Sequence, residues 1–417
     1  MVDQLPVEKV NLFAVCGFGL EEIVAKELEN LGFSGIELGR GGVRYVSDIN
    51  GIYLSNLSLR AASRVLIVLK TFSSKNNAML YDQVRRVHWM DYLNPDTTFA
   101  IETKGSVEGM QDINSLPFAG LKIKDAIVDE LRQKAGDRPN VDLRTPDVKI
   151  HAFFEGGKCT LSLDTSGRPL HERGYRKEEG EAPLKETLAA ALILASGYNG
   201  DGPFVDLMCG SGTLLTEAML IATNTAPGLL RDHFRFEKLP FFKASEYNAV
   251  REKLQGQIKV IKSAVAFGFD ESSRTLERAR KNLENLGLER AVKLERRSID
   301  EWLQMGEVNF GKPGWVMANP PYGERLMGVP NAPAKSLRGI NLTLRPEVVQ
   351  NIEAENPELQ ALYKTLGDVF KQKFKGYKAF VFTGSKLGMK SVGLKTTRRI
   401  VLYNGSLECR LLRYDLY

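Results

Sequence analysis

Apolar positions recur along the chain at two periods, and the order of those periods changes partway. In the first part, strands and helices are short and unevenly ordered. An apolar run over Asn11–Cys16 predicts a strand, and Gly19–Leu31 a helix with Leu20, Ile23, Val24 and Leu28 at helical spacing and Gly32 where a C-cap belongs. Gly42–Val46 reads as a strand, Ile52–Ala62 as a helix and Arg64–Leu69 as a β-rich stretch. The pattern then renews itself with a helix over Ala78–Val87, a strand over Thr97–Thr103 and an amphipathic helix over Leu121–Arg132 that carries Ile123, Ile127 and Leu131 on one face. Two β runs, Val148–Phe154 and Lys158–Leu163, flank Glu155-Gly156-Gly157, which signals a hairpin. This half is α+β.

Asp164–Pro183 is rich in Gly, Pro and charge and reads as a linker. Beyond it, strands and helices alternate at βαβ spacing. Helices are expected over Leu184–Ser196, Gly212–Thr223, Ser272–Leu286 and Leu359–Phe374, and strands over Phe204–Met208, Val265–Phe269, Ala291–Glu295, Trp315–Ala318 and Ala379–Phe382. Ile400–Asn404 and Glu408–Arg413 flank Gly405 and close a hairpin. Such alternation predicts an α/β, doubly wound and mostly parallel sheet with an antiparallel end.

Composition narrows the setting more than the chemistry. The 417 residues carry 57 Lys/Arg against 51 Asp/Glu, a net +6. No run approaches the ~18 apolar residues of a membrane-spanning helix, and Met1–Asn11 lacks the order of a signal peptide. Four scattered cysteines and four histidines suggest neither a disulfide framework nor a metal centre, so a soluble cytoplasmic protein without metal is expected. The charge is uneven. Residues 1–50 carry 4 basic and 8 acidic groups, whereas 185–417 hold 34 and 25. Nine Lys/Arg and no acid fall within 371–400, among them Lys386, Lys390, Lys395 and Arg398, a footprint suited to phosphate contacts.

Three strand-end motifs carry the chemistry. Asp206-Leu-Met-Cys-Gly210-Ser-Gly212-Thr213 joins a buried strand to a helix. Its glycines allow a tight bend, and the helix N-terminus offers free amides to an anion. The acid at the strand end points to a ligand with an ammonium as well as a carboxylate, as on the methionine moiety of S-adenosylmethionine. A tight turn without ligand remains the alternative. Asp270 in Gly268-Phe269-Asp270 ends the next strand and suits a ribose diol, or an N-cap for the helix that follows, or both. It lies 64 residues beyond Asp206, and residues 224–262 fill the gap as an inserted helical excursion. The sharpest motif is Asn319-Pro320-Pro321-Tyr322. An Asn side-chain oxygen and a Pro carbonyl can accept both protons of a planar amino group, which frees the nitrogen lone pair for attack on a sulfonium methyl. Tyr322 offers a stacking face. Cys209 has no neighbouring histidine and reads as a small buried filler, and Asp300, following a strand, is a weaker candidate for an adenine amino group.

These motifs, with His171-Glu-Arg-Gly-Tyr175-Arg, Ala182-Pro-Leu-Lys-Glu-Thr-Leu-Ala-Ala-Ala191, Ala226-Pro-Gly-Leu229 and Asn319-Pro-Pro-Tyr-Gly-Glu-Arg325, resemble the bacterial THUMP-domain 23S ribosomal RNA guanine-N2-methyltransferases of the RlmL type, over nearly the whole chain. The resemblance implies a ferredoxin-like subdomain over 1–65, a THUMP RNA-binding domain over 66–165, a linker over 166–183 and a Rossmann-like class I methyltransferase domain over 184–417. It implies S-adenosylmethionine as cofactor, held by Asp206, Met208, Gly210, Gly212, Asp270 and Asp300. Asn319, Pro320, Pro321 and Tyr322 become the catalytic group, and Lys386, Lys390, Lys395 and Arg398 the RNA contacts. The implied substrate is 23S rRNA or a large-subunit precursor, with no obligatory protein partner. The second methyltransferase domain fused in some members is not implied for a chain that stops at Tyr417, and residues 327–358 read as a longer loop than is usual for the family. A THUMP-type tRNA guanine methyltransferase, a DNA adenine or protein glutamine methyltransferase, and an RNA-binding ribosome assembly factor with secondary catalysis are the other readings.

Overall fold

Pairing between strands separates the chain into two bodies, each with its own sheet. In the computed structural model, residues 9–137, 139–176, 184–322 and 357–417 are described. The first body comprises Met1–Gly174 together with Ala226–Gln257, the second Tyr175–Thr225 together with Ile258–Tyr417.

The first sheet has eight strands: β1 (Val10–Val15), β2 (Ser34–Gly39), β3 (Gly42–Ser47), β4 (Arg64–Ser73), β5 (Thr98–Gly105), β6 (Asn140–Val141), β7 (Val148–Glu155) and β8 (Lys158–Asp164), in the order β2-β3-β1-β4-β8-β7-β5-β6. The ten-residue β4 unites it. Its first residues pair with β1 (Leu12↔Ile67 to Val15↔Arg64), and its length from Leu66 to Ser73 pairs with β8. The point between 65 and 66 therefore lies inside a strand shared by the two flanking segments. Sequence periodicity missed β2. Four of its six residues are exposed and two are glycine, so no period-2 apolar signal marks this edge strand. The β7–β8 hairpin forms where expected, and Gly156 and Gly157 both take positive φ (+56° and +72°), as a type I′ turn requires.

The excursion after residue 225 belongs to this first body. Tyr53 anchors it, with ring centroids 5.0 Å from Phe236, 5.9 Å from Phe242 and 5.7 Å from Tyr247. The buried Arg231 donates to the carbonyls of Pro169 and Glu172 (2.8 Å each), Arg168 (2.9 Å) and Ser166 (3.4 Å). Asn56 meanwhile donates to Thr165 Oγ1 at 2.8 Å and accepts from Ser166 Oγ at 2.6 Å. The polar composition that reads as a linker from Asp164 onward is therefore consumed, as far as Arg173, by internal hydrogen bonds. Asp164, Thr165, Ser166 and Arg173 are all buried.

Gly228 is the tightest point of this docking. A Cβ there would lie 2.5 Å from Leu57 Cα and 2.7 Å from Asn56 O, both backbone atoms that cannot yield. Gly228→Ala is expected to destabilise the first body by about 2–3 kcal/mol. Urea unfolding followed by Tyr and Trp fluorescence should show the lowered midpoint, and an unchanged midpoint would refute this packing.

The second sheet comprises β9 (Phe204–Asp206), β10 (Ala266–Asp270), β11 (Val292–Arg296), β12 (Trp315–Ala318), β13 (Lys378–Thr383), β14 (Arg398–Asn404) and β15 (Leu407–Asp415), in the order β11-β10-β9-β12-β13-β15-β14. The first five are parallel, and β15 runs antiparallel to both of its neighbours. This is the class I methyltransferase order, 3-2-1-4-5-7-6 when counted from β9. The helix Pro357–Lys373 covers one face, where Tyr363, Leu366, Val369 and Phe370 join Val205, Val316, Val381 and Trp302 in a dry core. The loop read over 327–358 lies, apart from its last two residues, outside the described residues. No helix among the described residues is long and apolar enough to cross a membrane.

Candidate active site

Strand order changes direction between β9 and β12, and ligands of open α/β sheets bind at such a switch point, outside the carboxyl ends of the strands. Register brings the three motifs there. Asp206 is level with Gly268 on β10 and with Met317 on β12, so Asp270 and Asn319 each stand two residues further toward the same rim. Residues separated by 64 and 113 positions from Asp206 thus become neighbours through parallel pairing alone.

The Gly-rich loop climbs from β9 by handing its amides to the neighbouring strands. Leu207 N donates to Met317 O (3.0 Å), Cys209 N to Phe269 O (2.8 Å) and Gly210 N to Asp270 Oδ2 (2.9 Å). Gly210 and Gly212 take φ of +54° and +79°, where a side chain would be strained. Beyond Gly210 the direction a Cβ would take is open space, so the loop leaves a cradle against the N-terminus of the helix Thr213–Ala222. The Asp270 carboxylate also accepts from Ser272 N (2.9 Å) and Thr275 Oγ1 (2.8 Å), while Ser272 itself caps the helix Ser273–Glu284. The N-cap expected at Asp270 is thus Ser272, and Asp270 instead braces the turn before that helix and the Gly-rich loop.

Two acceptors in this rim have no hydrogen-bond partner among the described residues: Asp206 Oδ2 and Asn319 Oδ1, both buried from solvent. Asp206 is fully buried and its other oxygen accepts from Met208 N at 3.2 Å. Burial raises its carboxyl to about 8, the Met208 amide offsets part of the rise, and the nearby Asp270 charge adds to it. Unsatisfied buried acceptors cost about 1–3 kcal/mol each. Both are satisfied by a ligand that brings an ammonium group to Asp206 and an amino group to Asn319, so the residues present fit such a ligand. Burial, followed by the Asp206 and Asp270 charges, pushes the Cys209 thiol well above its usual value, which suits a filler and not a nucleophile.

Met208 is half-buried beside Asp206, and Asp300 is exposed at the start of the short helix Glu301–Gln304 after β11. Pro320 and Tyr322 are buried, with Pro321 half-buried between them. The Tyr322 hydroxyl accepts from Asn404 Nδ2 at 3.2 Å, and its ring stands edge-on to Phe382 (6.0 Å, 85°). Lys386, Lys390, Lys395 and Arg398 are all exposed. Lys386 and Lys390 sit in the helix Lys386–Ser391, which leaves the same rim as Asn319, because β13 runs parallel to β12. Arg398 pairs with Arg413, level with Phe380, below that rim. Lys371, Lys373 and Lys378 lie toward the opposite end of β13, about 20 Å away, with Lys378 over the Trp315 ring at 4.6 Å. The basic cluster is therefore split by the sheet.

Sequence reading missed three groups. Arg176 donates to Thr213 Oγ1 (2.7 Å) and Leu184 O (3.2 Å) and pairs with the buried Glu186 at 3.3 Å, which latches the start of the second body to the cofactor loop. Asn404 looks in sequence like the opening of an Asn-Gly turn, and Gly384 like any strand-end glycine. Only the fold brings either of them to Tyr322.

Comparison with known proteins agrees with this architecture. Residues 11–66 match the RlmL ferredoxin-like domain, 74–164 the THUMP domain and 173–334 the RMKL-like methyltransferase domain. The chain is 35% identical to the Ribosomal RNA large subunit methyltransferase K/L of Pseudomonas putida (strain W619) over 98% of its own length but 53% of that protein's, so it spans about half the length of that relative. It is 33% identical to a candidate RNA methyltransferase of Synechocystis, covering 97% of this chain and 96% of that one. The crystal structure of a candidate methyltransferase in complex with S-adenosylhomocysteine superimposes with a TM-score of 0.82 at 31% identity, covering 98% and 99% of the two chains. With its sheet order, its Asn-Pro-Pro-Tyr rim and a relative matched end to end, the chain belongs to the family of methyltransferases that joins an RlmL ferredoxin-like domain, a THUMP domain and an RMKL-like methyltransferase domain.

Proposed function

We propose that this chain is an S-adenosylmethionine-dependent methyltransferase that modifies the exocyclic N2 of a guanine in large-subunit ribosomal RNA, free or in a precursor particle in the cytoplasm, without an obligatory protein partner. The observation that carries this reading is a pair of buried acceptors without a hydrogen-bond partner among the described residues, Asp206 Oδ2 and Asn319 Oδ1, at the ends of adjacent strands on one rim. The RNA class is supported by the names of the relatives, and the domain division by their matched segments. Ferredoxin-like and THUMP segments bind RNA, and the residues from Tyr175 onward, apart from the excursion over 226–257, carry the chemistry.

When bound, S-adenosylmethionine supplies a methyl group activated on sulfonium. Asp206 takes the ammonium of the methionine moiety, the amides beside Gly210 and Gly212 take its carboxylate, Met208 lines the loop, Asp270 holds the ribose diol and Asp300 the adenine amino group. At the target base, Asn319 Oδ1 would accept a hydrogen bond from one N–H of the amino group and the Pro320 carbonyl from the other. Both would draw the nitrogen toward tetrahedral geometry and turn its lone pair to the methyl, and the proton shed once the N–C bond has formed would leave to solvent. Pro321 keeps the turn rigid and contributes no competing donor. Because the Tyr322 hydroxyl is turned toward Asn404, this residue acts through its ring face and not as a base. The base must leave its stack to reach this rim.

Lys386, Lys390 and Lys395, with Arg398 lower on the edge, receive the RNA phosphates. Reversing the three lysines to Glu should lower the slope of log Kd against log salt by about 0.7 for each phosphate no longer bound, measured by fluorescence anisotropy with an rRNA fragment. An unchanged slope would remove them from the RNA path. The function itself is tested by mass spectrometry of rRNA and tRNA nucleosides from cells with and without the gene. Loss of N2-methylguanosine from large-subunit rRNA supports the assignment, and loss from tRNA alone replaces it with the tRNA reading.

A further inference from the structure

We infer that the C-terminal antiparallel hairpin β14–β15 sets the ring of Tyr322, with Asn404 as a positioning residue and Gly384 as the space that admits the ring. The inference rests on the proposed role of Asn319–Tyr322.

Four contacts converge on this side chain from outside its own motif. Asn404 Nδ2 donates to the Tyr322 hydroxyl at 3.2 Å. The Cys409 thiol, fully buried on β15, meets the same hydroxyl. Phe382 on β13 meets the ring edge-on, with centroids 6.0 Å apart. Gly384, just past β13, has no side chain where a Cβ would lie 3.3 Å from Tyr322 Cδ2 and 3.0 Å from Leu407 Cδ2. Tyr322 is thus clamped at its hydroxyl end by the hairpin and at its flank by the β13 terminus. Asn404 is also the last residue of β14, paired with Leu407 across the tight Gly405-Ser406 turn, so its backbone is fixed by the ladder and its amide is free to aim inward. A ring held this way presents one defined face to a base whose amino group sits at Asn319. Tilting it would misplace the nucleophile without touching the cofactor loop, which is built from β9 and β10 and their following turns.

The test uses the full chain with S-adenosylmethionine and an unmodified rRNA substrate. Asn404→Ala removes its hydrogen bond to the Tyr322 hydroxyl and should lower kcat about fivefold, whereas Tyr322→Phe removes that bond together with the Cys409 contact and should lower kcat at least as much. The double variant should be no worse than Tyr322→Phe alone, because the Asn404 contact is already lost with the hydroxyl. Affinity for S-adenosylhomocysteine and the melting temperature should stay at wild-type values, which a merely structural role would not allow. Gly384→Ala leaves that hydrogen bond intact but pushes on the ring, and should lower kcat about tenfold or more with cofactor affinity again unchanged. Full kcat in Asn404→Ala or Gly384→Ala, or multiplicative losses in the double variant, would overturn the inference. Asn319→Ala is run alongside. Full activity there defeats the catalytic reading itself, whereas its loss together with a silent Asn404→Ala defeats only the positioning role.

Discussion

Replacing Asn319 with Ala should reduce kcat by about 10²–10³ while leaving cofactor affinity within about twofold. The size follows from the kind of group removed. Asn319 Oδ1 is a preorganised acceptor, buried and without a partner among the described residues, and losing one such group at the site of developing charge costs about 3–4 kcal/mol of barrier. Cofactor affinity is spared because the proposed cofactor contacts lie on β9, β10 and the turn after β11, not on β12. Stability should change little, since the desolvation penalty relieved by deleting an orphaned carbonyl offsets the reduced packing. Asn319→Asp separates acceptor chemistry from shape. It keeps an acceptor oxygen, so it should retain more activity than the Ala variant, in a methyl-transfer assay on unmodified rRNA with tritiated S-adenosylmethionine. Undiminished kcat in Asn319→Ala would sink the proposed mechanism.

The second large effect pits function against stability at one residue. Asp206→Asn should weaken S-adenosylhomocysteine binding by about 100- to 1,000-fold, the usual penalty for breaking a buried charged pair, and yet raise the melting temperature of the ligand-free protein. Burial holds the Asp206 carboxyl at about 8 in the folded chain against an ordinary 3.8. A group raised on folding contributes its full stability below the unfolded value, and that contribution is lost as pH climbs toward 8. By pH 7 the loss amounts to roughly 4 kcal/mol. An Asn side chain does not titrate, but it leaves a buried donor unpaired at a cost of about 1–3 kcal/mol. The net gain is therefore about 1–3 kcal/mol, or a few degrees in Tm. The difference in Tm between variant and wild type should grow from pH 5 to 8 and then level off. Ligand affinity of the wild type should strengthen over the same interval as the carboxylate ionises. A lower Tm in Asp206→Asn at pH 8 would contradict the strained-carboxylate account, and unchanged affinity would remove Asp206 from the cofactor site.

Much of this site was legible in the linear sequence because strand-end motifs are local. A short apolar run followed by Asp or Asn and a Gly or Pro turn marks both the strand and a candidate site at its end, as at Phe204–Asp206 and Trp315–Ala318. Elements whose apolar residues face one side were legible for the same reason, although their ends were not: the helix expected over Leu121–Arg132 spans Leu116–Ala135 and the one expected over Ile52–Ala62 spans Ile49–Ser58. What escaped was non-local. The β2 edge strand has no apolar face to advertise it. The polar run after Asp164 reads as a linker because composition does not reveal which donors meet which acceptors, and its partners Asn56 and Arg231 lie far from it in the chain. The excursion over 226–257 was visible as an insertion, but nothing in its spacing says that Phe236 and Tyr247 close around Tyr53, far earlier in the chain.

The sequence by itself thus determined the two fold classes, the order of the motifs and the residue types of the candidate site, since each depends on short-range periodicity and turn chemistry. Tertiary structure alone decided that Asp206, Asp270 and Asn319 share one rim, that Asp206 is a carboxyl raised by burial, that the basic cluster is divided between the two ends of β13, and that Asn404 and Gly384 hold Tyr322. Those facts depend on strand register and desolvation. Both are properties of which distant segments pair, and no window along the chain contains them.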